Sequence, residues 1–111
     1  IIVANNDWLS NNSDTARAFL TALSRGYEYA VDNPKEAADI LMQYAPELKS
    51  NADFIYKSQE YLSAEYIADA NTWGEFDADR WAGFFNWLNE NKLLEGEIDP
   101  YYGFTNAYLP E

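Results

Sequence analysis

Two pairs of carboxylates are the residues of this sequence best suited to acid–base chemistry. Asp77 and Asp79 form the densest pair, and Glu28 and Asp32 are spaced one helical turn apart. Carboxylates that share a proton must face each other, but positions two apart on a helix point in different directions. We therefore expect Asp77 and Asp79 to cap a helix and offset its dipole, and Glu28 and Asp32 to form a solvated face.

The sequence lacks the side chains on which most enzymes depend. It contains no His and no Cys, which removes the usual general base, the thiolate nucleophile and the commonest metal ligands. An acyl-transfer enzyme would need a Ser–Lys pair, but Lys57 and Ser58 sit at ordinary helix spacing. Neither a Gly-rich phosphate loop nor a calcium-loop pattern occurs. The sequence therefore predicts that the protein is not an enzyme and that it has no metal site and no cofactor.

The negative net charge limits the kinds of partner that the protein is expected to bind. The chain has 111 residues and a formal net charge of −12. Binding to nucleic acids or to anionic membranes depends on Lys and Arg, so we expect neither partner. No apolar run approaches the roughly 20 residues of a membrane span. The acidity is expected to serve solubility, and the length fits one domain or part of one.

A pair of amphipathic helices over residues 12–45 is the strongest structural prediction. Apolar residues recur at three- and four-residue steps on both sides of a break at residues 32–34, which is typical of helices that bury one face. Asn33 is expected to cap the second helix, with Pro34 at its first position. The residues expected to face the core are Ala16, Phe19, Leu20, Leu23, Tyr27, Ala30 and Val31, followed by Ala37, Ile40, Leu41 and Tyr44.

Two further helices are predicted after a single turn at residues 47–49. The third begins near Asn51, and the fourth runs from Asp77 to about Asn91, with Gly96 expected to end its extension. A polar loop at residues 69–75 separates them. Their expected inner residues are Phe54, Ser58, Tyr61, Leu62 and Tyr66, followed by Trp81, Phe84, Phe85 and Leu88.

The two ends of the chain complete the predicted fold. Ile1 to Ala4 is the strongest strand candidate, and Trp8-Leu9 is expected to form a short helical turn. From Glu97 onwards the chain is expected to form an irregular tail that is anchored by Phe104, Tyr108 and Leu109. The predicted fold class of residues 1–111 is therefore mostly α, with about four helices, one N-terminal strand and an extended tail.

Several aromatic residues fall outside the predicted apolar stripes. Aromatic residues make up 17% of the chain, and aromatic platforms bind sugars and flat heterocycles. We expect the outlying ones to contact a neighbouring domain, a partner or a ligand. They are Trp8, Tyr29, Tyr56, Trp73, Trp87, Tyr101 and Tyr102.

Four motifs in series resemble one family of proteins. They are "VANNDWLSNN", "ARAFLTALSRGYEYAVDNPKEAADIL", "NTWGEFDADRWAGFFNWL" and "FTNAYLP". In this order they resemble the substrate-binding proteins of ABC importers that bind thiamine-pyrimidine precursors, riboflavin, nitrate or sulfonates. The Gly-Tyr and Phe-Thr-Asn patterns are most similar to the pyrimidine-precursor or riboflavin branch.

The resemblance implies a longer protein with two α/β lobes of the type II periplasmic-binding fold, of which residues 1–111 are the C-terminal part. It implies a small-molecule ligand in the cleft between the lobes, an ABC permease as partner, and a location in the periplasm or on the extracellular face. Asn5 and Asn6 would lie on the cleft or hinge side. Trp8, Trp73 and Trp87, with Tyr101 and Tyr102, would contact the neighbouring lobe or a partner. The segment alone could also form a homodimer.

Two alternative functions, each from a different class of protein, remain open. One is a stand-alone acidic helical interaction domain, which would gather the outlying aromatic side chains on one exposed patch. The other is an acidic enzyme subunit, which would need two carboxylates converging in a pocket. Within the family, a nitrate, sulfonate or taurine binder is the alternative to a heterocycle binder.

Overall fold

The computed structural model describes residues 1–70 and 72–110. Asn71, which belongs to the predicted polar loop, and Glu111, the last residue of the predicted tail, lie outside the described residues. The elements in chain order are α1 (Asn6–Asn11), α2 (Ser13–Asp32), α3 (Pro34–Tyr44), a 3₁₀ helix (Pro46–Asn51), α4 (Ala52–Glu65) and α5 (Ala78–Glu90). The prediction of a mostly helical chain is confirmed.

The predicted strand at Ile1–Ala4 is wrong for this structure. These residues belong to no helix or strand, and they form no backbone hydrogen bond with any residue in the described part of the chain. A strand is stabilised by a ladder to a neighbouring strand, and residues 1–70 and 72–110 contain no strand to supply it. The short turn predicted at Trp8-Leu9 is confirmed and is longer than expected, because it forms the six-residue α1.

Helices α2, α3 and α4 pack on one another and form the helical body. Helix α2 keeps its predicted face inward: Ala16 is buried, and the other predicted positions are half-buried except Phe19, which is exposed. Pro34 begins α3 as predicted. Asn33 does not cap it, because its side-chain amide instead donates to the carbonyl of Tyr29, 3.1 Å away at the end of α2.

The predicted inner face of α3 is wrong. Ala38 is fully buried and Met42 nearly so, whereas Ile40, Leu41 and Tyr44 are exposed, Tyr44 by 83%. The apolar sector of this helix is wider than the surface that α2 and α4 cover. The small side chain at Ala38 lets the helices approach closely, so the larger side chains are left on the outer flank.

Helix α4 shows the same displacement of its buried face. Ser63 is buried, and its hydroxyl donates to the carbonyl of Ala30 in α2 at 2.7 Å. The side-chain amide of Gln59 donates to the same hydroxyl at 3.1 Å. The buried face therefore includes a polar link between α4 and α2. Of the residues predicted to face inward, Ser58 and Tyr66 are half-buried, whereas the other three are exposed. They are Phe54, Tyr61 and Leu62.

Helix α5 stands apart from the helical body. Its start is as predicted, because the Asp77 carboxylate accepts from the backbone N–H of Arg80 at 2.8 Å. The helix ends at Glu90, in agreement with the predicted end at about Asn91, and it does not extend to Gly96. Lys92 adopts a left-handed conformation with φ of 53°, and the N–H of Leu93 returns to the carbonyl of Leu88 at 3.0 Å, which closes the last turn.

The core of the described residues is small. Its buried apolar residues are Ala16, Ala38, Met42 and Ala82, and no large side chain among residues 1–70 and 72–110 is fully enclosed. The radius of gyration is 17.7 Å, whereas a compact domain of this length has about 13 Å. The helices therefore expose much of the apolar surface that a complete domain would bury.

Candidate functional site

An open groove of about 920 Å³ lies in the described part of the chain. It is lined by Ile1–Ala4, by Trp8 and by side chains of α2. Residues 65–70 and 72–76 and the tail residues Thr105, Tyr108 and Leu109 complete the lining. A shallower depression of about 450 Å³ lies at residues 49–54 and involves a single turn of the chain. The groove is the better candidate site because it brings together distant parts of the sequence.

Three aromatic rings hold the loop after α4 against α2. Trp73 stacks on Tyr27 with 4.7 Å between ring centroids and 20° between planes. Tyr66 meets Tyr27 edge-on at 4.8 Å. Such pairs stabilise the fold beyond the area they bury. Because Tyr27 contacts both neighbours, these rings fix one wall of the groove.

The structure separates the other aromatic residues predicted as contacts. Trp8 is exposed and lines the groove together with Trp73. Trp87 lies on α5, stacked on Phe84 at 6.4 Å, and both rings are exposed. Tyr101 and Tyr102 are exposed in the tail. The single aromatic patch expected of a stand-alone interaction domain is therefore not formed by these side chains.

Asn5 and Asn6, the predicted cleft or hinge residues, are engaged in α1. The side-chain oxygen of Asn5 accepts from the backbone N–H of Trp8 at 3.1 Å, so Asn5 is the N-cap of this helix. The backbone carbonyl of Asn6 accepts from the Ser10 hydroxyl at 2.9 Å. A role of either residue toward a ligand stays a prediction.

The capping geometry gives a test for Asn5. Asp caps helices about as well as Asn, whereas Ala does not. We expect Asn5→Ala to lower the free energy of unfolding by about 1 kcal/mol and Asn5→Asp to leave it nearly unchanged. Urea unfolding of both variants measures this. Equal losses for Asn5→Ala and Asn5→Asp would contradict the capping role.

Asn106 fastens the tail to the residue before α5. Its side-chain amide donates to the carbonyl of Phe76 at 2.9 Å, and its oxygen accepts from the N–H of Phe76 at 2.9 Å. The indole N–H of Trp81 donates to the carbonyl of Tyr102 at 3.0 Å. Sequence reasoning predicted Phe104 as an anchor, and Phe104 does lie 5.4 Å from the Trp81 ring. It missed Asn106, although Asn106 belongs to the "FTNAYLP" motif.

Two contacts bring the tail to the rim of the groove. The guanidinium of Arg17 lies 5.5 Å from the centroid of the Tyr108 ring, which attracts the cation. Gly74 has a φ of 84°, and a Cβ added there would lie 3.3 Å from a methyl group of Leu109. A side chain at position 74 would therefore be strained and would crowd the tail.

A polar cluster away from the groove links α3 to α4. The Tyr56 hydroxyl donates a short hydrogen bond to the Asp39 carboxylate, and the Lys35 ammonium donates to the other carboxylate oxygen at 3.0 Å. The hydrogen bond from Tyr56, together with that from Lys35, lowers the pKa of Asp39. The hydrogen bond to Asp39 raises the pKa of Lys35 and that of Tyr56.

These shifts predict how stability depends on pH. A lowered folded-state pKa of Asp39 gives stability that is present above its ordinary value of 3.8 and lost as the pH falls through the folded value. Raised pKa values of Tyr56 and Lys35 give stability that is present below 10.0 and 10.5 and lost as the pH rises through the folded values. We expect the melting-temperature difference between wild type and Asp39→Asn to be largest between these limits.

The matched control is Glu60→Gln, which removes an exposed carboxylate of α4 outside the cluster. Thermal melts across the pH range measure both variants, and added salt should reduce the Asp39→Asn effect because the cluster is solvent-exposed. A difference for Asp39→Asn that persists unchanged into strong acid would contradict this assignment.

The described residues offer little else for chemistry. Within residues 1–70 and 72–110, no three Asp or Glu side chains converge as a metal site. In the same ranges, no helix is both long and apolar enough to cross a membrane.

The comparison with known proteins identifies relatives. A family model described as NMT1/THI5 like matches residues 1–37. The formylaminopyrimidine-binding protein of Halalkalibacterium halodurans is 29% identical over 102 residues, which cover 88% of this chain and 30% of that protein. The riboflavin-binding protein RibY of Chloroflexus aurantiacus is 26% identical over 107 residues, which cover 92% of this chain and 30% of that protein.

The chain therefore spans about 30% of the length of these curated relatives. Both are named as proteins that bind a small molecule. The resemblance predicted from the four sequence motifs is confirmed: residues 1–37 match the NMT1/THI5-like family model, and the chain is similar to a segment of two proteins that are named for binding small molecules.

Proposed function

We propose that residues 1–111 are the C-terminal part of a two-lobe substrate-binding protein for a flat nitrogen heterocycle, either a thiamine pyrimidine precursor or a riboflavin-type ring. The observation that carries the proposal is the pair of relatives, which are named for binding a formylaminopyrimidine and riboflavin. The protein would act at the extracellular face or in the periplasm and deliver its ligand to an ABC permease.

The side chains of this segment support binding rather than catalysis. The chain has no His or Cys, and the Asp77 carboxylate is engaged as a helix cap. The Asp39 carboxylate is engaged by Tyr56 and Lys35. Because these carboxylates do not converge in the groove, we propose that the protein is not an enzyme.

The ligand cleft would be completed by residues outside this segment. In the groove Tyr27 contacts both Trp73 and Tyr66, and Trp87 is stacked on Phe84 on a separate helix. A cleft between two lobes can close on its ligand about a hinge. The start of α1 would lie on the hinge side of that cleft, where its N-cap Asn5 and its first residue Asn6 would shape the turn.

The test is a ligand panel on the full polypeptide that carries residues 1–111. We expect a formylaminopyrimidine or riboflavin, at about a hundred times its Kd, to raise the free energy of unfolding by about 2.7 kcal/mol. Isothermal titration calorimetry gives the Kd, and thermal melts give the stabilisation.

Nitrate and taurine are the matched controls, because they represent the alternative ligands of the same family. Stabilisation by one of them in place of a heterocycle would select the nitrate or sulfonate branch. Saturable binding of none of the four compounds would contradict the proposed function.

A further inference from the structure

Helix α5 and the chain around it form a unit with an aromatic centre of its own. We call residues 76–104 the α5 unit. The ring of Trp81 lies 5.3 Å from that of Phe76 and 5.4 Å from those of Phe85 and Phe104. In the described part of the chain, α5 makes no contact with another helix. The placement of the α5 unit on the helical body therefore depends on loop and tail contacts.

The loop before the α5 unit is anchored up to one residue. The ring of Trp73 stacks on Tyr27 of α2. Gly74 follows with a φ of 84°, a conformation that glycine adopts without strain. The ion pair of Arg80 with Asp69 has 3.7 Å between nitrogen and oxygen, and both side chains are largely exposed, so it adds little. Without further contacts, the unit is free to turn about Gly74.

The tail supplies the contact that holds the α5 unit in place. We call residues 105–109 the strap. The Asn106 side chain makes two hydrogen bonds of 2.9 Å with the backbone of Phe76, one to the carbonyl and one from the N–H. An amide side chain can do this because it carries both a donor and an acceptor. The Asn106 carbonyl also accepts from the N–H of Leu109 at 3.2 Å, which closes the turn that carries Tyr108.

The other end of the strap reaches α2. The guanidinium of Arg17 lies 5.5 Å from the centroid of the Tyr108 ring. Arg17 is exposed, whereas Tyr108 is half-buried. The attraction between a cation and a ring is weak at an exposed site, so the strap can leave α2 at a much lower free energy than α2 itself can unfold.

The groove follows the boundary between the helical body and the α5 unit. Its lining includes Leu20 of the body, Phe76 and Arg80 of the unit, and Tyr108 of the strap. A turn of the unit about Gly74 would change the distances between these residues. The width of the groove therefore depends on whether the strap is fastened.

We propose that residues 105–109 are a strap that fastens the α5 unit to α2, and that its release opens the groove while α2, α3 and α4 stay folded. Asn106 is the positioning residue of the strap, because it joins the tail to Phe76 and carries the turn that places Tyr108 beside Arg17. Release turns the unit about Gly74. The strap controls access to the groove with or without a ligand, so this inference goes beyond the proposed function.

The test measures the distance between the helical body and the α5 unit in the full polypeptide that carries residues 1–111. Spin labels are attached at Arg25→Cys in α2 and Asn86→Cys in α5, two exposed positions outside the groove. Residues 1–111 contain no Cys, and any Cys elsewhere in the polypeptide is replaced. We expect a main distance for the fastened strap and a minor, longer distance for the released one.

Asn106→Ala removes both hydrogen bonds to Phe76. We expect it to raise the population of the longer distance at least about tenfold, because two hydrogen bonds are lost. The matched control is Asn91→Ala, since the Asn91 side-chain amide donates to the carbonyl of Trp87 within α5 at 2.8 Å. This control should keep the wild-type distances. Arg17→Gln weakens the other end of the strap and should show the same two distances in intermediate proportions.

Equal distance distributions for Asn106→Ala and Asn91→Ala would overturn the proposal. A longer distance in Asn106→Ala that comes with loss of helical circular dichroism would also overturn it, because the helical body would then not stay folded. A third distance in Arg17→Gln would contradict a strap with two states. The distance measurement uses no ligand, so calorimetry of the wild-type polypeptide with a formylaminopyrimidine or riboflavin tests the proposed function separately.

Discussion

The close approach of three helices through small side chains determines the rest of this structure. Ala38 of α3 is fully buried, and the hydroxyl of Ser63 in α4 donates to the carbonyl of Ala30 in α2 at 2.7 Å. The hydrogen bond satisfies a carbonyl near the end of α2 and fixes the rotation of α4. Because the contact is made by small residues, Ile40 and Tyr44 are left on the outer flank of α3.

The three helices therefore pack around a well-defined centre, but many of their large apolar side chains stay exposed. The tail joins α5 to this body without a helix–helix contact in the described residues. Asn106 fastens the tail beside Phe76, and the Tyr108 ring reaches Arg17 of α2. The groove between these parts is therefore shaped by loop and tail contacts, and its exposed apolar side chains are consistent with a segment that packs within a longer protein.

The sequence predicted the existence and limits of the helices more successfully than their buried faces. Pro34 and Asp77 mark helix starts by local chemistry, so they could be read directly. Periodicity shows which side chains of α3 are apolar, but the choice between Ala38 and Tyr44 as the buried residue depends on how closely neighbouring helices approach. A ligand-binding role could likewise not be predicted from the sequence. At Asn5, for example, helix capping alone explains why an Asn occurs at this position.

We propose that residues 1–111 carry only part of a hydrophobic core. Urea unfolding of this chain alone, with a dye that fluoresces on exposed apolar surface, tests it most directly. The denaturant slope scales with the surface exposed on unfolding and is about 1–3 kcal/mol/M for small complete domains. We predict a slope below this range and strong dye binding before urea is added. A slope within this range, with a cooperative transition and no dye binding, would contradict the claim.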